Sequence, residues 1–247
     1  MKKYTILVVL IIFTSVISAC SNTPEQVQAP KVLTSDIEES QQVEDTVTNP
    51  IAATGPFSEN EVAGLLFMLE EEKLAHDVYM VLYDLWGQPI FQNIASSELS
   101  HIEAVENLME RYEIPSPIKN NALGQFDNQD LQALYNQLVE MGSVSLTEAI
   151  KVGLAVEEID ILDLEEYLSQ TQMADITLVY ENLLAGSRNH LRSFASTFER
   201  QTGEYYQPQY LSLATYEEII AGSFETGNGN GQKGGKGVGN NSNTTNE

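Results

Sequence analysis

The sequence predicts an all-α protein: an antiparallel four-helix bundle with one longer crossover that carries a short extra helix. Three observations predict it. Apolar residues recur at steps of three and four along four separate stretches. Capping signals stand ahead of several of those stretches. No run alternates apolar and polar residues as a half-buried strand would.

The elements follow in order. "SENE" reads as a capping box of Ser58 and Glu61 and opens a long helix that runs to about Trp86, stopping at "GQP". A second long helix runs from about Ile90 to Tyr112 and ends before "IPSP". After the irregular "KNNALGQFDN", a shorter helix covers Gln129 to Met141. "SLTE", Ser145 to Glu148, is another capping box and opens the third long helix, to about Ser169. Asp175 is expected to cap the fourth, which runs to about Arg200, and a last short helix is expected over 215–221. A helix pair, a connection with a small helix and a second helix pair suit a four-helix bundle with one crossover.

Four regions are expected along the chain: a signal over 1–19, a tether over 20–56, the folded bundle over 57–222 and a tail over 223–247. The start has two lysines, an apolar run from Ile6 to Phe13 too short to span a bilayer, and small residues before Cys20. "ISAC" resembles a bacterial lipobox, so Cys20 is expected to carry a lipid and anchor the protein to the extracytoplasmic face of a cell membrane. Cys20 is the only cysteine, so no intrachain disulfide can form. The tether is rich in Pro, Gln, Ser, Thr and acidic residues without a period, and the tail is Gly/Asn-rich, both compositions that cannot fund a packed core.

Acidic residues outnumber basic ones 36 to 12, for a net charge of −24. No basic patch can neutralise a phosphate backbone, which argues against nucleic acid as a partner. The acidity attracts cations in general without defining a site.

The helix faces carry the chemistry. The first long helix presents Leu65, Leu69, Glu72, His76, Tyr79 and Tyr83 at helical spacing. The second presents Ile94, Glu98, His101, Val105 and Leu108; the third Ile150, Leu154, Glu157, Ile161 and Leu164; the fourth Ile176, Tyr180, Leu183, Ser187, His190 and Phe194. Each apolar stripe is broken by polar groups near its middle, at comparable heights if the helices pack antiparallel. Buried carboxylates meeting in one layer repel each other, and an unpaired one neutralises by shifting its pKa. A divalent cation between them removes both problems, and imidazole is a good ligand for iron, zinc and manganese-class metals.

Glu72, Glu98, His101, Glu157 and His190 are therefore the expected metal ligands. Glu158 is the alternative to Glu157 should the register differ by one residue. His76, one turn beyond Glu72, is expected as a hydrogen-bonding supporter of the site. Tyr79 either lines the site or packs in the core, with packing favoured.

These residues resemble the ferritin-like superfamily. "EKLAHDVY" is similar to its first-helix pattern, which maps to Glu72, Ala75 and Tyr79; "ELSHIEAVENLM" is similar to its second, which maps to Glu98 and His101. More narrowly, "EEEKLAHDVY", "PIFQNIASSELSH", "EEIDILDLEE" and "YENLLAGSRNHLRSF" resemble a prokaryotic ferritin-like family known as domain of unknown function 2202, over about residues 58 to 221. The resemblance implies a carboxylate-bridged di-metal centre with a lone Glu, Glu-x-x-His, a lone Glu and Glu-x-x-His on successive long helices. One position departs from it: the fourth helix reads "SRNH", with Ser187 where a Glu belongs. Asp160, three residues after Glu157, is the expected replacement, with Glu158 as the other candidate.

The resulting expectation is a membrane-anchored metal-binding bundle holding one or two transition-metal ions, iron first, with manganese or zinc as alternatives. It would act as a ferroxidase or peroxidase-type oxidoreductase on ferrous iron, peroxide or dioxygen. A non-enzymatic surface bundle that sequesters metal or docks a partner is the competing expectation. The oligomeric state is open, with a homodimer considered. A hydrolase has no support: the sequence holds no nucleophile elbow, no His-Glu-x-x-His zinc helix and no P-loop.

Overall fold

A computed structural model describes residues 57–118 and 120–227. The expected signal, the lipidation site at Cys20, the tether and the tail beyond residue 227 lie outside the described residues. Those described form six helices and no strand, so the all-α expectation holds for them: α1 (Glu59–Trp86), α2 (Pro89–Arg111), α3 (Gln129–Gly142), α4 (Leu146–Gln170), α5 (Ala174–Thr202) and α6 (Leu213–Ala221). None of these helices is long and apolar enough to cross a membrane.

The first cap forms as the residues dictate. Ser58 Oγ accepts from the Glu61 amide, and the Glu61 carboxylate accepts from the Ser58 amide. The Glu61 carboxylate also accepts from Thr171 Oγ1 at 2.8 Å, which ties the start of α1 to the end of α4. At α4 only half the expected box is present. Ser145 Oγ accepts from the Glu148 amide at 3.1 Å, while the Glu148 carboxylate pairs with Lys151 at 2.9 Å instead of reaching back. Asp175 is not the cap of α5: Met173 holds the extended cap conformation, and Asp175 sits in the first turn, bonded to Tyr112. A carboxylate there still opposes the positive end of the helix dipole.

α1 ends at Gly87, whose φ of 61° is left-handed backbone that glycine adopts without a Cβ clash. Pro89 then starts α2 at its first turn. The short turn folds α2 back along α1, and α4 and α5 make the second closely packed pair; α1 also meets α4, and α2 meets α5. The shared core includes Leu65, Leu69, Tyr79, Phe91, Leu154, Ile161 and Phe194, each fully buried.

The crossover and α3 cover another side of α1, which explains why Glu70, Lys73 and Asp77 are buried. Glu70 accepts from the Asp127 and Asn128 amides at 2.7 and 3.0 Å. Lys73 Nζ donates to the Ala122 carbonyl at 3.0 Å and to Asp77, and Asp77 accepts from the Gly124 amide at 2.8 Å. One face of α1 thus docks the crossover while another faces α2 and α4. Residues 223–227, assigned from sequence to the tail, begin along α5: Glu225 pairs with Arg188 and Arg192.

Candidate metal centre

The middle of α2 aims Glu98 and His101 the same way, because residues three apart lie on one helix face. α5 brings His190 to meet them. One donor atom from each of Glu98, His101 and His190 lies within 4.8 Å of the others, so these three residues can hold a metal ion. Glu98 is 2 % exposed. Its Oε2 is 2.8 Å from His101 Nδ1 and its Oε1 is 3.0 Å from His190 Nδ1, so a single carboxylate faces both rings. The rings stack with centroids 5.5 Å apart.

Two further carboxylates flank the triad. Glu72 of α1 places Oε2 3.1 Å from His101 Nδ1. Glu157 of α4 places Oε2 3.5 Å from His190 Nδ1. All five residues expected as ligands therefore converge. The hydrogen-bond count does not close among them. His101 Nδ1 has two carboxylate oxygens within reach and at most one hydrogen to give. His190 Nδ1, despite its short distance to Glu98, is not aligned for a hydrogen bond and has none; Glu72 Oε1 has none either. Unpartnered donors and acceptors at this depth are costly. A cation using the same atoms as ligands would satisfy them, and two imidazoles with carboxylates are a donor set suited to transition metals.

The electrostatics follow from that crowding. Burial and then the other carboxylates, Glu98 first, push the Glu72 carboxyl up to about 7 against the pull of His101. Burial works against the charged forms of Glu98 and both histidines, but their mutual attraction is stronger. His190 and His101 hold Glu98 well below the usual carboxylate range, and Glu98 and Glu157 raise His190 to about 10.

The surroundings orient the ligands. Tyr79 is fully buried, and its hydroxyl donates to Glu157 Oε1 at 2.5 Å while its ring packs on Phe91 and Phe194. The core packing favoured for it is present. Ser97, one residue before Glu98, places Oγ 3.0 Å from His190 Nε2. Gly186 of α5 makes room for His101: a Cβ there would lie 2.5 Å from His101 Nε2.

A family model described as "Uncharacterized protein domain (DUF2202)" matches residues 61–223. The chain belongs to this family. It is 50 % identical over 172 residues to uncharacterized protein MJ0754 of Methanocaldococcus jannaschii, a match covering 70 % of this chain and 92 % of that protein. The crystal structure of hypothetical protein MJ0754 from Methanococcus jannaschii DSM 2661 superposes with a TM-score of 0.67, covering 69 % of this chain and 97 % of that one.

In this DUF2202 chain, two candidate residues, Glu158 and His76, are placed differently from the expectation. Glu158 is fully buried but turned away from the triad. Its oxygens accept from the amides of Gln209, Tyr210 and Leu211, at 2.9, 2.8 and 2.8 Å, and from Tyr206 Oη at 2.7 Å. It anchors the segment after α5 and is not a ligand. His76 is not a supporter of the centre: its Nδ1 lies 2.8 Å from Asp77 Oδ1, on the crossover side of α1. Asp160 does face Ser187, whose hydroxyl bonds its Oδ2, so a carboxylate from α4 stands beside the position where α5 lacks one.

Ser97 and Gly186 were missed in the sequence. The signal for Gly186 was present, a small residue inside the helical pattern "LLAGSRNH" that needed a packing reason. Ser97 left no comparable trace among polar neighbours.

Proposed function

We propose that this protein is a ferritin-like four-helix metal-binding protein, anchored by a lipid at Cys20 on the extracytoplasmic side of a membrane. It holds one or two transition-metal ions, iron first. One position lies among Glu72, Glu98 and His101, and the other among Glu98, Glu157 and His190, with Asp160 supplying the carboxylate that Ser187 cannot. The observation that carries the reading is the approach of Glu98 to both imidazoles, with His190 Nδ1 and Glu72 Oε1 buried and without a hydrogen bond.

Bound iron would supply one-electron chemistry toward ferrous iron, peroxide or dioxygen as substrates. The chain's own residues do the rest. Glu98 links the two positions. Tyr79 orients Glu157, and Ser97 orients His190 by its second ring nitrogen. The lipid anchor is supported by "ISAC" at the end of a short apolar run.

A second reading, metal held without turnover, is favoured by depth: Glu72, Glu98 and Glu157 are each 2 % exposed. Metal analysis of the full-length protein tests the binding, and oxygen or peroxide consumption with ferrous iron separates the readings. Consumption that ceases in Glu98→Ala/His101→Ala supports the oxidoreductase. Bound metal with no consumption supports retention.

A further inference from the structure

We propose that divalent cations enter and leave the centre through the seam between α2 and α5, with the His101 ring as its gate. The inference rests on the metal-binding reading of the centre and adds how that centre is reached.

Two contacts define the seam. Ser97 of α2 meets His190 of α5, with Oγ 3.0 Å from Nε2. One turn along α2, His101 Nε2 faces Gly186 of α5, where a Cβ would lie only 2.5 Å from it. Ser97 opposite His190 and His101 opposite Gly186 set the two helices antiparallel beside the centre.

Each imidazole spans the same two environments. Nδ1 faces carboxylates: Glu72 and Glu98 for His101, Glu98 and Glu157 for His190. Nε2 faces the seam. The residues it meets there, Ser97 and Gly186, are half-buried, as are Ala104, three residues beyond His101, and Ser193, three beyond His190.

Exposure of the ligands is graded in the same direction. The side chains of His101 and His190 are 12 % and 9 % exposed, against 2 % for Glu72, Glu98 and Glu157. One imidazole ring therefore separates the carboxylates from partly open surface. The cover is thicker elsewhere. α1 and α4 contribute Leu69, Tyr79 and Ile161, all fully buried. The crossover and α3 lie over α1, and Glu158 ties residues 209–211 to α4.

A cation bound for Glu72 and Glu98 has to pass a ligand, and His101 is the one placed to yield. It is the most exposed of the five, and the residue across the seam from its outer nitrogen has no side chain. Rotation of the ring toward solvent uncovers both carboxylates without moving either helix. Gly186 thus serves the bound position of the ring and its release alike.

A route sets how fast an ion arrives and leaves, but the free energies of the bound and unbound states do not depend on it. The test uses that distinction. Co²⁺ association, and dissociation into excess chelator, are followed by stopped flow on the full-length protein through the visible absorption of the bound ion. Ala104→Cys is labelled through its thiol with a methylthio or a benzylthio group. A helical side chain leans over the turn that precedes it, so a group at position 104 covers the His101 ring. Ser169→Cys with the benzylthio group, on the exposed end of α4, is the control for a bulky adduct. Wild type treated with the same reagents accounts for Cys20, the only native cysteine.

The benzylthio adduct at position 104 is expected to slow association and dissociation alike, by about tenfold, with affinity unchanged. The methylthio adduct and the Ser169→Cys control should match treated wild type. Equal rates for the benzylthio adducts at positions 104 and 169, or a loss of affinity at an unchanged association rate, overturns the proposal. Tight Co²⁺ binding with unaltered rates defeats the route alone, whereas a wild type that binds no Co²⁺ defeats the metal-binding reading and the route with it.

Discussion

His190 Nδ1 stands 3.0 Å from Glu98 Oε1, yet no hydrogen bond joins them. The distance is that of an ion pair and the direction is not that of a hydrogen bond, so the ring nitrogen faces the Glu98 and Glu157 carboxylates without donating to either. Its other nitrogen is accounted for by Ser97. A histidine held at Nε2 by a hydroxyl, with Nδ1 facing carboxylates, is oriented as a ligand would be.

Ser97→Ala should therefore weaken metal binding by about tenfold or more, the scale typical of losing a group that orients a ligand. Ser97→Thr keeps the hydroxyl and should restore affinity. Competition with a chelator of known affinity measures both. Equal affinity in all three proteins would remove Ser97 from the site.

Gly186→Ala should displace His101. The added Cβ would sit 2.5 Å from His101 Nε2, too close for either group to stay where it is. Overpacking of this kind costs about 1–3 kcal/mol, and the loss of ligand geometry should lower metal occupancy as well. Thermal unfolding and metal content, measured on one preparation, check both effects.

Glu158→Ala should separate stability from metal. The carboxylate satisfies three backbone amides and the Tyr206 hydroxyl inside the protein. Removing it leaves buried donors unpaired, a loss of roughly 3 kcal/mol or more. Residues 206–211 should lose protection in hydrogen exchange while metal stoichiometry is unchanged. A fall in stoichiometry at intact fold would return Glu158 to the ligand set.

The contact of Glu225 with α5 should respond to acid. Hydrogen bonds from Arg188, with Arg192 helping, hold its carboxyl below the usual value. A carboxyl whose folded pKa is depressed contributes stability above its unfolded value, near 4.3, and loses it as pH falls through the folded value. Docking of residues 223–227 should therefore be unaffected from neutrality down to about pH 5. It should weaken only below the unfolded value, and Glu225→Gln should abolish that pH dependence. Amide exchange at Glu225, whose N–H donates to Asn189 Oδ1 at 2.9 Å, reports the release.

Much of this was legible in the sequence because helix periodicity is a strong local signal. Glu72, Glu98, His101, Glu157 and His190 interrupt apolar stripes, and in the structure all but the half-buried His101 are buried. What periodicity cannot tell is which side of a crowded helix faces which neighbour. α1 is covered by α2, α4 and the crossover together, so its face at His76 was read as one with Glu72, although the crossover claims it through Asp77. Glu158 failed for a different reason. Its partners are backbone amides some fifty residues downstream, and amides leave no mark in the sequence.

The central claim is that Glu98 and the two histidines meet around a metal ion. The most direct test is elemental analysis of the full-length protein after equilibration with ferrous iron under anaerobic conditions, alongside Glu98→Ala/His101→Ala. The account predicts one or two tightly held ions per chain in the wild type and their loss in the double variant. Equal metal retention in both proteins, or none in either, would contradict it.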